Sequence, residues 1–237
     1  IYMGDWSSDV CSSDLFAEAL SVSQRSQGHR SYADAKLMVE LGRLEMLRSN
    51  IQQAREHFTL ALNLMRELRG SEDAEVAAVL VELSNVSVWA DDLEQAERTA
   101  SEAVEIYKSG PQYHPDRVMA DFRLAEILMY RGQIESAAPL FERALAAQRL
   151  LYGSNNDTVA YTLGSLAQVR IAKNNIREAE SLIREALAMH RGSGGAAGNK
   201  IGHLQTLLAT VLMRQSKFAE AESFYMEIGR ASCRERV

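Results

Sequence analysis

The sequence predicts an all-α chain, a stack of antiparallel helix hairpins, on three observations. A short block recurs every 41 or 42 residues, alanines stand seven apart inside most blocks, and turn-forming residues precede each block. The blocks read QQAREHFTLAL, EQAERTASEAV, ESAAPLFERAL, REAESLIREAL and AEAESFY. Their first alanines are Ala54, Ala96, Ala137, Ala179 and Ala221, spaced 42, 41, 42 and 42. Self-similarity at such a period marks a repeat architecture. Composition agrees: the 237 residues include 3 prolines and are only 7% aromatic, while Ala, Leu, Glu and Arg, all strong helix formers, are abundant.

The elements follow in chain order. A partial repeat at 16–31 carries Ala19, which lies 42 before Ala61. Full repeats are expected at 32–73, 74–115, 116–156 and 157–198, with a truncated one at 199–226. The first helix of each unit, helix A, carries a leucine and then a small residue: Leu41-Gly42, Leu83-Ser84, Leu124-Ala125, Leu166-Ala167 and Leu208-Ala209. A turn follows at Ser49-Asn50, Asp91-Asp92, Gly132-Gln133, Asn174-Asn175 and Ser216-Lys217, turn residues of which several tolerate a left-handed backbone. Ile51, Leu93, Ile134, Ile176 and Phe218 then open helix B, and the alanines follow. Small residues are needed at these places because two helices approach closely only where no bulky side chain separates their backbones. Leucine at Ala137 is therefore expected to overpack that contact by about 1–3 kcal/mol. Pro139, a few residues into a helix B, is expected to disturb its first turn.

These residues resemble the tetratricopeptide repeat, and the 42-residue period with loops such as Tyr113–Asp116 and Tyr152–Asp157 is similar to the longer, kinesin-light-chain-like subclass. The resemblance covers 16–226. It implies an open right-handed α-solenoid in which helix A lines a concave groove. The chain departs from the pattern late in helix A, where an aromatic is common and Glu45, Ser87, Leu128, Arg170 and Leu212 stand.

The two ends read differently. Asp5–Leu15 and Glu227–Val237 can each be back-translated into a sequencing-adapter-like string, and the close of one is the reverse complement of the opening of the other. Segments 1–15 and 227–237 are expected to be non-native tails that carry no information about the fold, as a fusion scar carries none. Both cysteines, Cys11 and Cys233, fall in them, so the repeats offer no disulfide, thiol nucleophile or cysteine-based zinc site. Removing three basic and five acidic residues with the ends leaves 23 against 27, a net charge of −4. A mildly acidic chain is a poor partner for phosphate-rich nucleic acid, and no apolar run reaches the length of a membrane span. A cytoplasmic location is expected.

Catalytic chemistry is expected to be absent, and no cofactor or metal is called for. The histidines His29, His57, His114, His190 and His203 are scattered and form no pair at metal-ligand spacing. Arg191–Asn199 is glycine-rich without a preceding strand, and reads as a linker between units. Glu178 and Glu180 lie two apart, and residues at that spacing do not share a helical face. What remains is binding. By register, the groove is expected to carry Arg43, Asn85, Glu126, Gln168 and Thr210 as a polar ladder, and Met46, Val88, Met129, Ile171 and Met213 as a stripe that core packing alone could explain. Trp89 and Tyr130 are placed beside the turns, with Phe122 nearer a helix start. The candidate site is an apolar centre at Trp89, Phe122 and Tyr130 edged by Arg43, Asn85, Glu126 and Gln168, taking a protein or peptide segment. A carboxylate clamp built from Lys36, Arg43 and Asn85 ranks second. The alternative function is the sensor or regulatory region of a larger signalling protein, with a kinase, ATPase, protease or transcription-regulator domain elsewhere. A toroidal helical-hairpin enzyme ranks last, and oligomeric state is left open.

Overall fold

The computed structural model describes residues 31–111, 113–190 and 198–234. The leading tail at 1–15, residues 16–30 of the partial repeat and the glycine-rich stretch 191–197 lie outside the described residues. All regular structure among the described residues is helical, in ten helices. They divide into two compact units, one ending at Gln112 and the other beginning at Tyr113.

Unit 1 contains α1 (Tyr32–Leu47), α2 (Ile51–Arg69), α3 (Ala74–Trp89) and α4 (Leu93–Lys108). Helices α1 and α2 form one hairpin, α3 and α4 the next, and α2 packs on α3. Unit 2 contains α5 (Pro115–Tyr130), α6 (Ile134–Tyr152), α7 (Asp157–Ala172), α8 (Ile176–His190), α9 (Gly198–Arg214) and α10 (Phe218–Arg234). Its hairpins are α5–α6, α7–α8 and α9–α10. Each also packs on the next through α6 with α7 and α8 with α9, and the A helices touch at α5–α7 and α7–α9. Within each unit every helix meets near neighbours, the pattern of a linear repeat stack.

Local chemistry explains where helices begin. Ser31 starts α1 with a reciprocal capping box to Asp34, the exchange that satisfies two otherwise orphaned donors. Asp73 and Asn156 cap α3 and α7 through the backbone N–H groups of Glu75 and Thr158. His114 caps α5, its Nδ1 accepting from Asp116 N–H at 3.3 Å, while Pro115 occupies the first helical position, where no amide donor is needed.

The turn from helix A to helix B has one geometry five times over. Ser49, Asp91, Gly132, Asn174 and Ser216 all take φ between 58° and 74°. The next residue's N–H returns to the carbonyl five back, at 2.8–3.0 Å in Asn50→Glu45, Asp92→Ser87, Gln133→Leu128, Asn175→Arg170 and Lys217→Leu212. This is the Schellman closure of a helix C-terminus. It holds the hairpin angle constant from repeat to repeat.

The core is the predicted small-residue seam. Ala54, Ala96, Ala137, Ala179 and Ala221 are completely buried, as are Ala61, Ala103, Ala144 and Ala186. The small positions of helix A face them: Ser84, Ala125, Ala167 and Ala209 are also fully buried. At Gly42 the fit is tighter, since an added Cβ would lie 2.7 Å from the Phe58 ring. Leu41, Leu83, Leu124 and Leu166 are all buried beside this seam. Helix α6 runs unbroken through Pro139, which is exposed on its surface.

Candidate functional site

The helix-A face is assembled differently in the two units. In unit 1 it is knitted by charge. Arg43 on α1 pairs with Glu40 on its own helix and with Glu82 on α3, both at 2.8 Å. Lys36 pairs with Glu75 at 2.8 Å, and the Tyr32 hydroxyl donates to the other oxygen of that carboxylate. The hydrogen bond from Lys36 holds the Glu75 carboxyl below its ordinary range. The cations of the second-ranked clamp are therefore engaged with carboxylates of the same unit. Asn85 is half-buried.

Beyond this network the two helices end in bare apolar side chains. Leu47, the last residue of α1, is 83% exposed, and Trp89, the last of α3, is 73% exposed. They occupy the same register, five residues after the small position. Their half-buried neighbours Met46 and Val88 lie one residue earlier.

In unit 2 the A helices are joined by a polar chain. Arg123 pairs with Glu126 at 2.8 Å, and the Tyr161 hydroxyl on α7 donates to the other Glu126 oxygen at 3.1 Å. Gln168 on α7 meets His203 on α9 at 2.9 Å. Glu126 is buried, and that burial pushes its carboxyl above the ordinary value, outweighing the pull of Arg123 and Tyr161. Burial together with the Glu126 charge pushes the Tyr161 phenol up to about 12. Tyr130, 59% exposed, projects from the end of α5, while Thr210 is half-buried on α9.

Phe122 is placed beneath the surface. It is 4% exposed and packs edge-on against Phe141 at 5.4 Å and tilted against Tyr161 at 5.5 Å. It supports the face from below, so Tyr130 and Tyr161 are exposed on the A helices of unit 2 and Phe122, expected at the apolar centre, is not. Sequence register missed Tyr161, which is 49% exposed. The available signal was its spacing: it lies seven residues, two helical turns, before Gln168, on the same face.

No group of three or more histidine, cysteine, aspartate or glutamate side chains able to hold a metal occurs among the described residues. None of their helices is long and apolar enough to cross a membrane. The chain belongs to the tetratricopeptide repeat family, whose profile matches residues 34–109 and 116–192.

Solved structures give the same fold. The chain is similar to BtubC (BKLC) from P. vanneervenii, with 18% identity and a TM-score of 0.82 over 97% of this chain and 92% of that one. It is similar to a putative kinesin light chain from Podosopora anserina with nearly identical TPR-like repeats, at 20% identity and a TM-score of 0.74 over 86% and 97% of the two chains. A Rap protein complexed with Competence and Sporulation Factor matches at 17% identity and a TM-score of 0.66, over 94% of this chain and 64% of that one. No curated protein matches by sequence.

Proposed function

We propose that the helix-A face binds a segment of another protein, extended or helical, through apolar anchors set beside polar rungs. The observation that carries this reading is the exposure of Trp89 at the end of α3. A buried tryptophan would need no explanation in a helical repeat. One left in water, with Leu47 exposed at the same register of α1, is an interface anchor, because tryptophan combines large apolar area with a polar edge. Arg43, Glu82 and Asn85 in unit 1 then supply orientation and specificity, since hydrogen-bonded side chains discriminate partners more than they add affinity. In unit 2, Tyr130 and Tyr161 beside Glu126 and Gln168 offer a second set of the same kind.

A second reading makes this array the peptide-sensing region of a longer regulatory protein. The likeness to a Rap protein complexed with a factor favours it. In both readings the repeats bind and do not catalyse.

The test is a segment selected from a displayed peptide library on the intact chain, followed by calorimetry. Trp89→Ala is expected to weaken binding by about 2 kcal/mol or more, the cost of truncating a hot spot, with helicity unchanged. Leu124→Ala is the contrasting variant, expected to lose about 2–5 kcal/mol of stability to a core cavity. Equal affinity of the wild type and Trp89→Ala removes the unit 1 anchor from the proposal.

A further inference from the structure

The helix-B side of unit 1 holds a cleft of about 340 Å³ between α2, α3 and α4, lined by Arg55, Thr59, Arg66, Ser87, Gln95 and Glu102 among others. Its meaning comes from the equivalent places in unit 2, 83 residues further on. There Thr59, Ser87 and Gln95 are replaced by Glu142, Arg170 and Glu178. Arg170 spans the gap, 2.6 Å from Glu142 on α6 and 2.7 Å from Glu178 on α8. The next such place, between α8, α9 and α10, is closed by the fully buried Leu212. The ion pair at the rim is kept, as Arg66 with Glu102 in unit 1 and Arg149 with Glu185 in unit 2. Only the interior differs, and in unit 1 it is hollow.

The hollow is rich in donors. The buried Nε atoms of Arg55 and Arg66 find no hydrogen-bond partner among the described residues. Arg66 still answers Glu102 through Nη2. Arg55, where unit 2 has Ala138, pairs with no carboxylate among the described residues. Gln95 accepts from Arg98 through its oxygen, which leaves its amide N–H groups for the cleft. The cleft also holds two carboxylates, both engaged: Asp92 caps α4, accepting from the Gln95 N–H at 3.0 Å, and Glu102 pairs with Arg66. Arg170 Nε in the filled counterpart is also without a hydrogen bond of good geometry, so what sets the unit 1 cleft apart is the Arg55 guanidinium without a carboxylate beside it, and a carboxylate is the anion whose two oxygens match a guanidinium edge.

We propose that this cleft is a carboxylate-binding site, taking the acid group of a small organic acid or of an acidic side chain on a bound protein. The terminal guanidinium nitrogens of Arg55 receive the carboxylate, and Ser87 and Gln95 hold the polar groups attached to it. Its volume lies at the low end of the range for small-molecule sites, about 300–1,000 Å³. The site is formed by unit 1 alone and is independent of Trp89.

Amide-resolved NMR titration of the full chain tests it with succinate, with succinamide as the uncharged control, and with the blocked peptide acetyl-Gly-Glu-Gly-amide. Saturable shifts at Thr59, Ser87 and Gln95 are expected with a carboxylate probe and not with succinamide. Saturation by succinate assigns a free acid, and saturation by the peptide alone assigns an acidic side chain. Ser87→Leu fills the cleft as Leu212 fills its counterpart, and Arg55→Gln removes the charge while leaving the space. Arg55→Gln is expected to weaken binding about tenfold or more, the loss of one charge-assisted hydrogen bond, and Ser87→Leu to abolish saturation by taking up the space. Absence of saturation with both acids, or undiminished binding in Arg55→Gln, overturns the proposal.

Discussion

At Ser49, Asp91, Asn174 and Ser216, an L-residue holds a left-handed backbone that glycine holds in the third repeat at Gly132. The Schellman closure demands that conformation, and a side chain there costs about 1 kcal/mol. Nothing lies within 4 Å of a Cβ built on Gly132, so the effect is conformational and not steric. Ser49→Gly is therefore expected to raise stability by about 0.5–1 kcal/mol and Gly132→Ala to lower it by about 1 kcal/mol. Denaturant unfolding with unchanged slope measures both. Glu126 makes a pH-dependent case. Its carboxyl is raised in the fold, mainly by burial, so the folded state favours the protonated form. Its contribution is most favourable below the ordinary value of 4.5 and is lost as pH rises through the folded value. Glu126→Gln keeps an acceptor for Tyr161 and removes the buried charge. It is expected to raise the melting temperature near neutral pH, with the gain vanishing below 4.5. An equal gain at both pH values would contradict burial as the cause.

Between elements, the hairpins are held by a seam of small residues and by a few buried polar ties. Asp121 on α5 is 3% exposed and accepts from the Nε of Arg143 on α6 at 2.7 Å. This bond, strengthened by charge, raises the Arg143 guanidinium above its ordinary value. Removing the arginine strands a buried carboxylate, so Arg143→Ala is expected to cost about 2–3 kcal/mol. Replacing both partners, as Asp121→Leu with Arg143→Leu, is expected to recover much of that loss. Thermal unfolding of the two variants decides it. Loops and seam were legible in sequence because alanine spacing and turn chemistry are local signals. The Asp121–Arg143 tie was not, since nothing in a one-dimensional pattern shows which outward-reading charge bends back over the next helix.

Over the whole chain, each unit is a linear stack, and such stacks open from their least-covered helices. Helix α10 packs on α9, and its Phe218, Tyr225 and Met226 stay exposed. Helix α7 instead touches α5, α6, α8 and α9. Backbone amides of α10 are expected to exchange hydrogen faster than those of α7, as native-state exchange would record. Similar protection in both helices would imply a single cooperative unit.

By itself the sequence determined the repeat, its period, the hairpin in each repeat, the residues of the close-packed seam and the family. All of these follow from composition and spacing along one helix face, where physics is set by neighbours three, four or seven residues away. The register also placed Trp89 and Tyr130 at helix ends beside the turns, and the fold leaves both exposed. Tertiary structure alone decided which side chains of that face reach solvent. It put Phe122 beneath Tyr161, turned the Arg43, Glu126 and Gln168 rungs toward partners on neighbouring helices, and left a hollow under Ser87 where Arg170 fills its counterpart. These outcomes depend on distances across helices, and a side chain's burial is fixed by what the next repeat sets against it.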